Sequence, residues 1–334
     1  MNKTYLHILK ATRTVYQHVF GNHHKGQGHL PDCIMDAKDA SDEIYKMLAS
    51  DAPCMIARYG AFELATVVNY LGVTNINFDA IEFIKGNIPD PIWNKTLFSY
   101  MQNNAGFFPA TESNIIKFCK LMIDDTTHLD LLGSWTWNDL YMKPYFSNNF
   151  KSVHIRLLEP FWKMDEPWTK ALAGKRVLIV HPFNNLIEKQ YKEKRSKLFS
   201  NPEFLPQFEL KTIKAVQSIG GESNGFIDWF EALHWMESEI DKCEYDVCLI
   251  GCGAYGFPLA AHCKRMGKKA IHLGGALQLL FGIKGRRWED PQYGVKEWGI
   301  EAGAYLKLMN EYWIRPGADY CNKHTKDVEN GCYW

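Results

Sequence analysis

The sequence lacks an excess of charge of either sign. Its 38 lysine and arginine residues equal its 38 aspartate and glutamate residues, so no overall field favours nucleic acid or an anionic membrane. Long apolar runs are also absent, since none approaches the roughly 18 residues that a membrane-spanning helix needs. The first residues, MNKTYLHILKATRTVYQHVFG, are too polar for a secretory signal. We therefore expect a cytoplasmic protein that binds no nucleic acid and makes at most peripheral contact with the inner face of the membrane.

A disulfide framework is missing as well. None of the nine cysteines forms a C-x-x-C pair, and their spacing is irregular, which favours a reducing compartment. Internal repeats and low-complexity tracts are absent too. What is present is the composition of an ordinary globular protein, with 46% hydrophobic and 23% charged residues. The length of 334 residues allows two domains.

The first 35 residues are predicted to form a helix followed by a linker. Apolar side chains at positions 5, 6, 9, 15 and 19 make the helix amphipathic. It either packs on its own domain or touches a partner or a membrane surface. The stretch over residues 21–31, GNHHKGQGHLP, is polar and rich in glycine, as a loop or linker is. Its three histidines have no further metal ligand at a useful spacing.

Residues 36–170 are predicted to form a smaller N-terminal α/β domain. A short buried strand over residues 53–57 ends in the turn Arg58-Tyr59-Gly60, and a helix follows with an apolar face from Leu64 to Leu71. Thr111 caps a further helix. The segment over residues 133–161 is aromatic and is expected to be irregular.

Residues 171–334 show strands alternating with helices. Such alternation predicts an α/β fold with a Rossmann-like, doubly wound parallel sheet. The aromatic C-terminal extension of this domain is expected to pack back onto the body. The predicted strands cover residues 175–180, 208–216, 246–250 and 269–273, and the predicted helices cover residues 228–240 and 257–266.

A glycine-rich turn lies between the third strand of this block and the next helix. Gly251, Gly253, Tyr255 and Gly256 belong to a G-x-G-x-x-G pattern. Glycine lets the backbone approach a phosphate, and the free N–H groups and dipole of the helix favour its charge. The alternative is that these glycines only make a tight turn and close packing. The pattern predicts that the phosphates of a ligand bind here.

The next strand argues against a dinucleotide. A dinucleotide site carries Asp or Glu at its end, whereas this strand ends in His272, Gly274 and Gly275, with Gln278 beyond. A nucleotide diphosphate or another phosphorylated ligand remains open. Lys284, Arg286 and Arg287 follow, and they either neutralise a diphosphate or are merely solvated.

Other side chains follow predicted strands and are candidates for chemistry. His181 could move a proton and Asn185 could bind a base or sugar hydroxyl, although a structural histidine is about as common. Trp135, Trp137 and Asp139 could form a platform for a sugar, or they could belong to the core. Glu63 in a first helical turn is also explained by capping and the helix dipole. Glu159 is a further acidic candidate.

Taken together, these segments resemble bacterial glycosyltransferases of the GT-D fold, which act in surface-glycan and glycoprotein biosynthesis. The family's R-[FY]-G-D-G-E turn is matched by Arg58, Tyr59, Gly60 and Glu63. KRVLIVHPFNN and LIGCGAYGFPLAAHCKRMGKKAIHLGG are similar to its later strands and glycine turn. The match covers residues 50–290 in scattered pieces.

The resemblance implies a nucleotide-sugar donor, a glycan or lipid-linked glycan acceptor, and work on surface polysaccharide such as capsule or O-antigen. The family's acids also imply Mn²⁺ or Mg²⁺. Ala61 stands where the family has Asp, so only Glu63 carries over as a metal ligand. Glu63 is placed at the donor, and Asp139, Glu159 or His181 would activate the acceptor hydroxyl. The residues predicted to bind the donor are Arg58, Tyr59, Gly60, Asn185, Gly251, Gly253, Tyr255, Gly256, His272, Gly274, Gly275, Gln278, Lys284, Arg286 and Arg287.

Two other functions stay open on the sequence. The glycine turn would also serve an NAD(P)-dependent oxidoreductase, and a non-catalytic nucleotide or phosphoglycan binder would accommodate the missing Asp at Ala61. The sequence is compatible with a homo-oligomer.

Overall fold

The computed structural model describes residues 3–20, 27–163, 165–317, 320 and 331–334. The predicted linker therefore lies partly outside the described residues, as do Cys321 and most of the last fifteen positions. The described strands are β1 (Cys54–Ala57), β2 (Leu131–Ser134), β3 (Lys151–His154), β4 (Arg176–His181), β5 (Glu209–Lys214), β6 (Val247–Ile250) and β7 (Lys269–His272).

Helices flank these strands. Several begin at a side-chain cap, as where the Asp228 carboxylate accepts the Glu231 N–H at 2.9 Å. The described α-helices are α1 (Lys3–Phe20), α2 (Ala37–Ala49), α3 (Ala61–Val73), α4 (Ala80–Lys85), α5 (Lys95–Asn103), α6 (Glu112–Thr126), α7 (Asn184–Leu198), α8 (Trp229–Asp241), α9 (Gly256–Arg265), α10 (Arg286–Glu289) and α11 (Val295–Trp298).

The strands form one sheet in the order β3-β2-β1-β7-β6-β4-β5. Every pairing between them is parallel. Helices cover both faces, so the fold is a Rossmann-like α/β fold with a doubly wound parallel sheet, as the sequence predicts. The five predicted strands are all present, four of them predicted from apolar runs and β5 from alternation, and their ends differ from the prediction by at most two residues.

The central strands β1, β7, β6 and β4 send alternate side chains into two separate cores. In β4, Leu178 and Val180 belong to the core under α3, α6, α8 and α9. Val177 and Ile179 belong to the core under α2 and α7. Both faces of the strand are dry, which explains why its sequence is a continuous apolar run rather than an alternating one.

The prediction that residues 133–161 are irregular is wrong in part. This segment contains the end of β2 and all of β3, which pairs with β2 in register from Leu131 with Lys151 to Ser134 with His154. Each strand has only four residues, and β3 (KSVH) has a single aliphatic side chain. A run this short and polar gives no strand signal, and pairing with β2 determines its conformation.

The sheet crosses the predicted boundary at residue 170. β1, from the first predicted domain, lies directly beside β7, from the second, with Ile56 opposite Ile271. Strands from both predicted domains are therefore hydrogen-bonded to each other in one sheet. The division of the chain into separate domains stays a prediction.

The N-terminal part lies against the body. Leu6 and Leu9 of α1 pack with Phe83 of α4. In the described part of the predicted linker, Gln27 forms an antiparallel bridge with Thr136, and the Leu30 N–H donates to Ser134 Oγ at 2.9 Å. Across the described residues, none of the helices combines the length and the apolar character that a bilayer crossing demands.

The aromatic C-terminal extension packs onto the body wherever it is described, as expected. Trp313 is buried, and the Ile314 carbonyl accepts the Lys284 N–H at 2.7 Å. Residues 331–334 return to α10, where the Cys332 carbonyl accepts the Arg287 N–H at 3.1 Å. These bonds hold the end of the chain beside the C-terminal edge of the sheet.

Candidate functional site

All seven strands point their carboxyl ends at one cleft of about 400 Å³. Segments after β1 and β6 turn towards one face of the sheet and those after β4 and β7 towards the other, which opens a crevice between them. The predicted site residues that line the cleft are Arg58, Gly60, Glu63, Glu159, His181, Gly251, Gly253, Tyr255, His272, Gly274, Gly275, Gln278 and Arg287.

The turn after β1 is shaped by Gly60 and Glu63. The Glu63 carboxylate folds back over the first turn of α3, and a Cβ on Gly60 would overlap it. A side chain at position 60 would therefore displace the Glu63 carboxylate from this place. Burial raises the pKa of Glu63, while the first-turn N–H groups and the Arg58 guanidinium oppose that rise. The carboxylate is thus held at a helix N-terminus beside a cation.

Arg58 is the cation of this part of the cleft. Its guanidinium lies 5.4 Å from the centre of the Trp135 ring, a cation–π arrangement. It forms no ion pair with any of the described residues. A Cβ on Gly274 would stand 3.8 Å from Arg58 Nη1, so the guanidinium runs past the backbone of the turn after β7. No carboxylate of the described residues lies within ion-pair distance of this guanidinium, so its N–H groups are available to an anion.

In the glycine turn after β6, Gly251 serves close packing and Gly253 is exposed. The Gly251 N–H donates to the Val180 carbonyl at 2.9 Å, so that amide continues the sheet and is not free for a phosphate. A Cβ on Gly251 would approach the Gly274 carbonyl oxygen and His181 Cδ2 to 2.7 Å each. Gly251 therefore serves close packing where three strand ends meet.

Gly253 is the open position of the turn. It has a φ of +59° and empty space where a Cβ would stand. In the described part of the chain, the N–H groups of Cys252 and Gly253 have no backbone partner. These two amides precede α9 and are available to a ligand. Gly256, by contrast, does not line the cleft, and its missing side chain makes room for the His272 ring.

Two neutral histidines lie at the strand ends. The Phe183 N–H donates to His181 Nδ1 at 3.0 Å, which places the ring proton on Nε2. His272 Nδ1 lies 3.3 Å from the Ile250 carbonyl and donates to it. Burial lowers the pKa of His181 to about 3, and burial with the nearby Arg58 charge does the same for His272. Both rings stay uncharged at neutral pH.

Glu159 follows the 3₁₀ turn after β3. Its Oε2 accepts the Tyr305 hydroxyl at 2.7 Å. Loss of water around the side chain raises the pKa of Glu159 to about 7, against the lowering effects of Tyr305 and the Arg156 and Arg287 charges. A carboxyl group that titrates near neutral pH suits general acid–base work.

The three basic residues of the 284–287 loop do not act together. Arg287 lines the cleft, but its guanidinium is enclosed by aromatic rings, at 4.9 Å from Tyr333 and 5.6 Å from Tyr293. Lys284 and Arg286 lie outside the cleft, and Arg286 is exposed. Of the predicted group, only Arg287 is placed to meet a ligand.

Three further candidates lie outside the lining. Asp139 is buried at the start of a 3₁₀ helix, where it accepts the Ser134 hydroxyl at 2.7 Å and the Trp135 N–H at 3.1 Å. It therefore shapes the loop after β2. Tyr59 is buried, with its hydroxyl 2.7 Å from Thr126 Oγ1. Asn185 is exposed on α7.

Two lining residues belong to the framework of the cleft. Gln278 Nε2 donates to the carbonyls of Lys284 and Tyr333 at 2.9 and 3.0 Å, so it ties the end of the chain to the site. The hydroxyl of Tyr255 lies 2.7 Å from Ser218 Oγ, and its ring stacks on Trp229 at 4.8 Å.

The aromatic wall of the cleft was not predicted from the sequence. A Cβ on Gly275 would overlap the ring of Tyr333, which fixes that ring at the turn after β7. The density of aromatic residues near the C-terminus was the available signal, but it gave no indication of where they would pack. The wall comprises Tyr293, Trp298, Tyr333 and Trp334.

The described residues that line the cleft do not make a site for a resident divalent metal. Glu63, Glu159 and Glu297 are the carboxylates among the lining residues. Within the described ranges, no group of three or more His, Cys, Asp or Glu side chains is arranged to hold a metal ion. Ala61 supplies no ligand beside Glu63. The metal stays a prediction of the resemblance.

Comparisons with known proteins do not assign a family. No family model matches the chain, and no curated protein matches it. A solved structure described as the selenomethionine-substituted domain of unknown function 1792 is similar, with 13% sequence identity and a TM-score of 0.37. The match covers 86% of this chain and 96% of that one.

Proposed function

We propose that this chain is a glycosyltransferase that takes a sugar from a nucleotide-sugar donor with a diphosphate. One observation carries the proposal. Within the described ranges, a guanidinium without an ion-pair partner and two backbone N–H groups without backbone partners lie at the same cleft. Arg58 passes the backbone of Gly274, and Cys252 and Gly253, whose N–H groups have no backbone partner among the described residues, line the same cleft. Backbone donors and a guanidinium together match the two linked charges of a diphosphate.

The rest of the cleft suits a nucleoside and a sugar. A volume of about 400 Å³ lies within the ordinary range for small-molecule sites. Trp135 and the aromatic wall offer flat apolar surfaces, on which a base or the apolar face of a sugar ring can stack. The order of motifs that resembles the GT-D glycosyltransferases supports the same donor.

The proposed reaction is a displacement at the anomeric carbon. An acceptor hydroxyl oxygen forms a bond to that carbon, the bond to the diphosphate oxygen breaks, and the nucleoside diphosphate leaves with the electron pair. Glu159 takes the proton of the hydroxyl as general base, since its pKa near 7 leaves much of it ionised at neutral pH. Arg58 and the amides after β6 stabilise the charge that grows on the leaving group.

The neutral histidines are assigned no proton transfer. A pKa of about 3 makes His181 and His272 weak bases. Instead, His181 accepts the Phe183 N–H and His272 donates to the Ile250 carbonyl, and these bonds fix the geometry of the strand ends. His272 also stands where a dinucleotide site would carry a carboxylate for the ribose, which disfavours the oxidoreductase alternative.

We propose the acceptor and the pathway from the resemblance to the GT-D glycosyltransferases. A glycan or lipid-linked glycan would enter beside Glu159 and the aromatic wall, and the product would be a surface polysaccharide. The proposed location is the cytoplasm, at the inner face of the membrane where lipid-linked acceptors are found.

A ligand screen tests the proposal. Thermal unfolding of the full chain is measured with nucleoside diphosphates, nucleotide diphosphate sugars and nicotinamide cofactors, each with and without manganese. A ligand at 100 times its dissociation constant stabilises the folded state by about 2.7 kcal/mol, so a diphosphate ligand raises the midpoint clearly. Stabilisation by nicotinamide cofactors alone, or by nothing in the panel, contradicts the proposal.

Turnover separates an enzyme from a binding protein. The sugar nucleotide that gives the largest shift is incubated with the wild type, and release of the nucleoside diphosphate is followed. The wild type is expected to hydrolyse it slowly, and Glu159→Gln to lose that turnover while keeping the thermal shift. Binding without turnover in the wild type, with candidate acceptors also present, would indicate the non-catalytic alternative.

A further inference from the structure

A second cation lines the cleft at the end opposite to the glycine turn. Arg156 lies in the 3₁₀ turn after β3 and is one of the lining residues. In the sheet, β2, β1 and β7 stand between β3 and β6. Neighbouring strands are about 4.8 Å apart, so the ends of β3 and β6 are separated by roughly 19 Å. Arg156 therefore belongs to a different part of the cleft from the amides of Cys252 and Gly253.

The hydrogen-bond donors of Arg156 are not used by the described part of the protein. The guanidinium lies 4.8 Å from the centre of the Trp162 ring, a contact that engages its face. Its N–H groups point outwards in the plane of the group. The side chain forms no hydrogen bond or ion pair with any of the described residues, and its Nε is enclosed without a partner. An enclosed donor without a partner is unfavourable, so the arrangement suits an acceptor group that comes from a ligand.

The nearest carboxylate does not neutralise Arg156. The Arg156 charge lowers the pKa of Glu159, and the Arg287 charge does so as well. Glu159 is therefore within the field of two guanidiniums, but it is beyond ion-pair distance of Arg156. Loss of water lowers the pKa of Arg156 itself, against the opposing effects of Tyr305 and Glu159. Glu297, the other carboxylate at this end of the cleft, is exposed, where solvent and salt screen its charge.

Aromatic rings connect this cation to the aromatic wall. Ring contacts run from Trp162 to Tyr305 at 5.3 Å, from Tyr305 to Tyr293 at 5.6 Å and from Tyr293 to Trp298 at 5.2 Å. Tyr293 and Trp298 line the cleft, and their faces suit the apolar side of a sugar ring. A guanidinium presents paired N–H groups that match two oxygens of a phosphate or a carboxylate. The two features together suit a sugar that carries an oxyanion.

We propose that the acceptor of this chain is acidic, and that its phosphate or carboxylate binds Arg156 while its sugar ring lies against Tyr293 and Trp298. The inference rests on the proposed function, because it names the class of acceptor for the reaction assigned to Glu159. A sugar phosphate at the end of a lipid-linked glycan and a uronic acid within a glycan supply the same chemistry. A neutral sugar would leave the Arg156 N–H groups without a partner and would bind more weakly.

Thermal unfolding of the full chain with small acidic sugars tests the inference. Glucose 1-phosphate, glucuronate and glucose are titrated at matched ionic strength, each with and without a mixture of uridine, guanosine, cytidine, adenosine and thymidine diphosphates. At least one of the two charged sugars is expected to stabilise the wild type more than glucose does, and to do so with the mixture present. The one that does so distinguishes the phosphate from the carboxylate. Stabilisation by neither, or stabilisation that the mixture abolishes, overturns the inference.

Substitution of Arg156 locates the bound anion. Arg156→Gln is expected to weaken binding of the charged sugar about ten- to a hundredfold, the effect of losing a hydrogen bond to a charged group. Arg156→Lys restores the charge and is expected to recover part of the affinity. The matched control is Arg195→Gln, because the Arg195 guanidinium also lies over a ring, that of Tyr191 at 5.9 Å, but outside the cleft. The control is expected to bind as the wild type does, and circular dichroism shows whether each variant is folded.

The pattern of losses separates this inference from the proposed function. Arg58→Ala is expected to weaken binding of nucleoside diphosphates and to spare the charged sugar, and Arg156→Gln to do the opposite. A wild type that binds the charged sugar through Arg156 but no nucleoside diphosphate contradicts the proposed function and supports the anion site. A wild type that binds a nucleoside diphosphate through Arg58, with equal affinity for the charged sugar in Arg156→Gln, overturns the acidic acceptor alone.

Discussion

The carboxylate of Glu63 occupies the space in which a side chain on Gly60 would lie. The φ of Gly60 is −74°, so its backbone does not need glycine. The Glu63 carboxylate turns back into the space beside Gly60 that a side chain would fill. There it lies at the first turn of α3 and near the positive charge of Arg58. Gly60 and Glu63 are therefore a matched pair, and the sequence pattern that joins them is explained by contact.

That contact predicts a coupled pair of substitutions. Gly60→Ala pushes the carboxylate off the helix N-terminus and is expected to lower the free energy of unfolding by about 1 kcal/mol, the upper end for such a charge–dipole interaction. In a Glu63→Ala background the same substitution is expected to cost much less, because the clash is gone. Urea unfolding of the four proteins measures the coupling. Equal costs in both backgrounds would show that the two residues act separately.

Glu159 predicts a dependence of stability on pH. Its pKa is raised from 4.5 to about 7 by burial, so between these values the folded state holds a proton that the unfolded state has lost. The contribution of this group to stability is fully present below pH 4.5 and is lost as the pH rises through 7. Relative to the wild type, Glu159→Gln is therefore expected to become progressively more stable from pH 5 to pH 8. A difference that is constant with pH, or that changes in the opposite direction, contradicts the assignment.

The hydrogen bond from Tyr305 to Glu159 predicts how the pKa of Glu159 responds to a substitution at position 305. Its hydroxyl donates to Glu159 Oε2 at 2.7 Å, a bond that favours the ionised carboxylate. Tyr305→Phe is expected to raise the pKa of Glu159 further and to move the acid limb of the turnover profile to higher pH. Tyr191→Phe is the control, since the Tyr191 hydroxyl donates to the Phe208 carbonyl at 2.9 Å, outside the cleft. A limb that moves equally in both variants would show a general loss of packing.

The strands could be predicted from the sequence where burial on both faces requires a run of apolar residues. β4 and β6 are covered on both faces, so they contain the continuous apolar runs VLIV and VCLI. β3 was invisible because its four residues are held by the register with β2. The spacing of residues indicates which side chains alternate along a strand. It does not indicate which distant segment forms the neighbouring strand.

The candidate site was predictable where its residues follow strands directly. Arg58, His181 and His272 follow or end β1, β4 and β7, and parallel strands bring such positions to one edge. Asp139 was a different case, because T-W-N-D beginning at Thr136 is also a capping pattern, and the structure shows that use of it. The aromatic wall depends on how the C-terminal extension returns to the sheet, which no local pattern encodes.

Calorimetric titration of Arg58 variants with nucleoside diphosphates tests the central claim most directly. The claim is that this unpaired guanidinium and the amides after β6 hold the diphosphate. A hydrogen bond to a charged group contributes about 1.5–3 kcal/mol, so Arg58→Ala is expected to weaken binding by roughly ten- to a hundredfold. Arg58→Lys should fall between, and Arg286→Ala, outside the cleft, should bind as the wild type does. Equal affinity in Arg58→Ala and the wild type, or no binding by the wild type, would contradict the account.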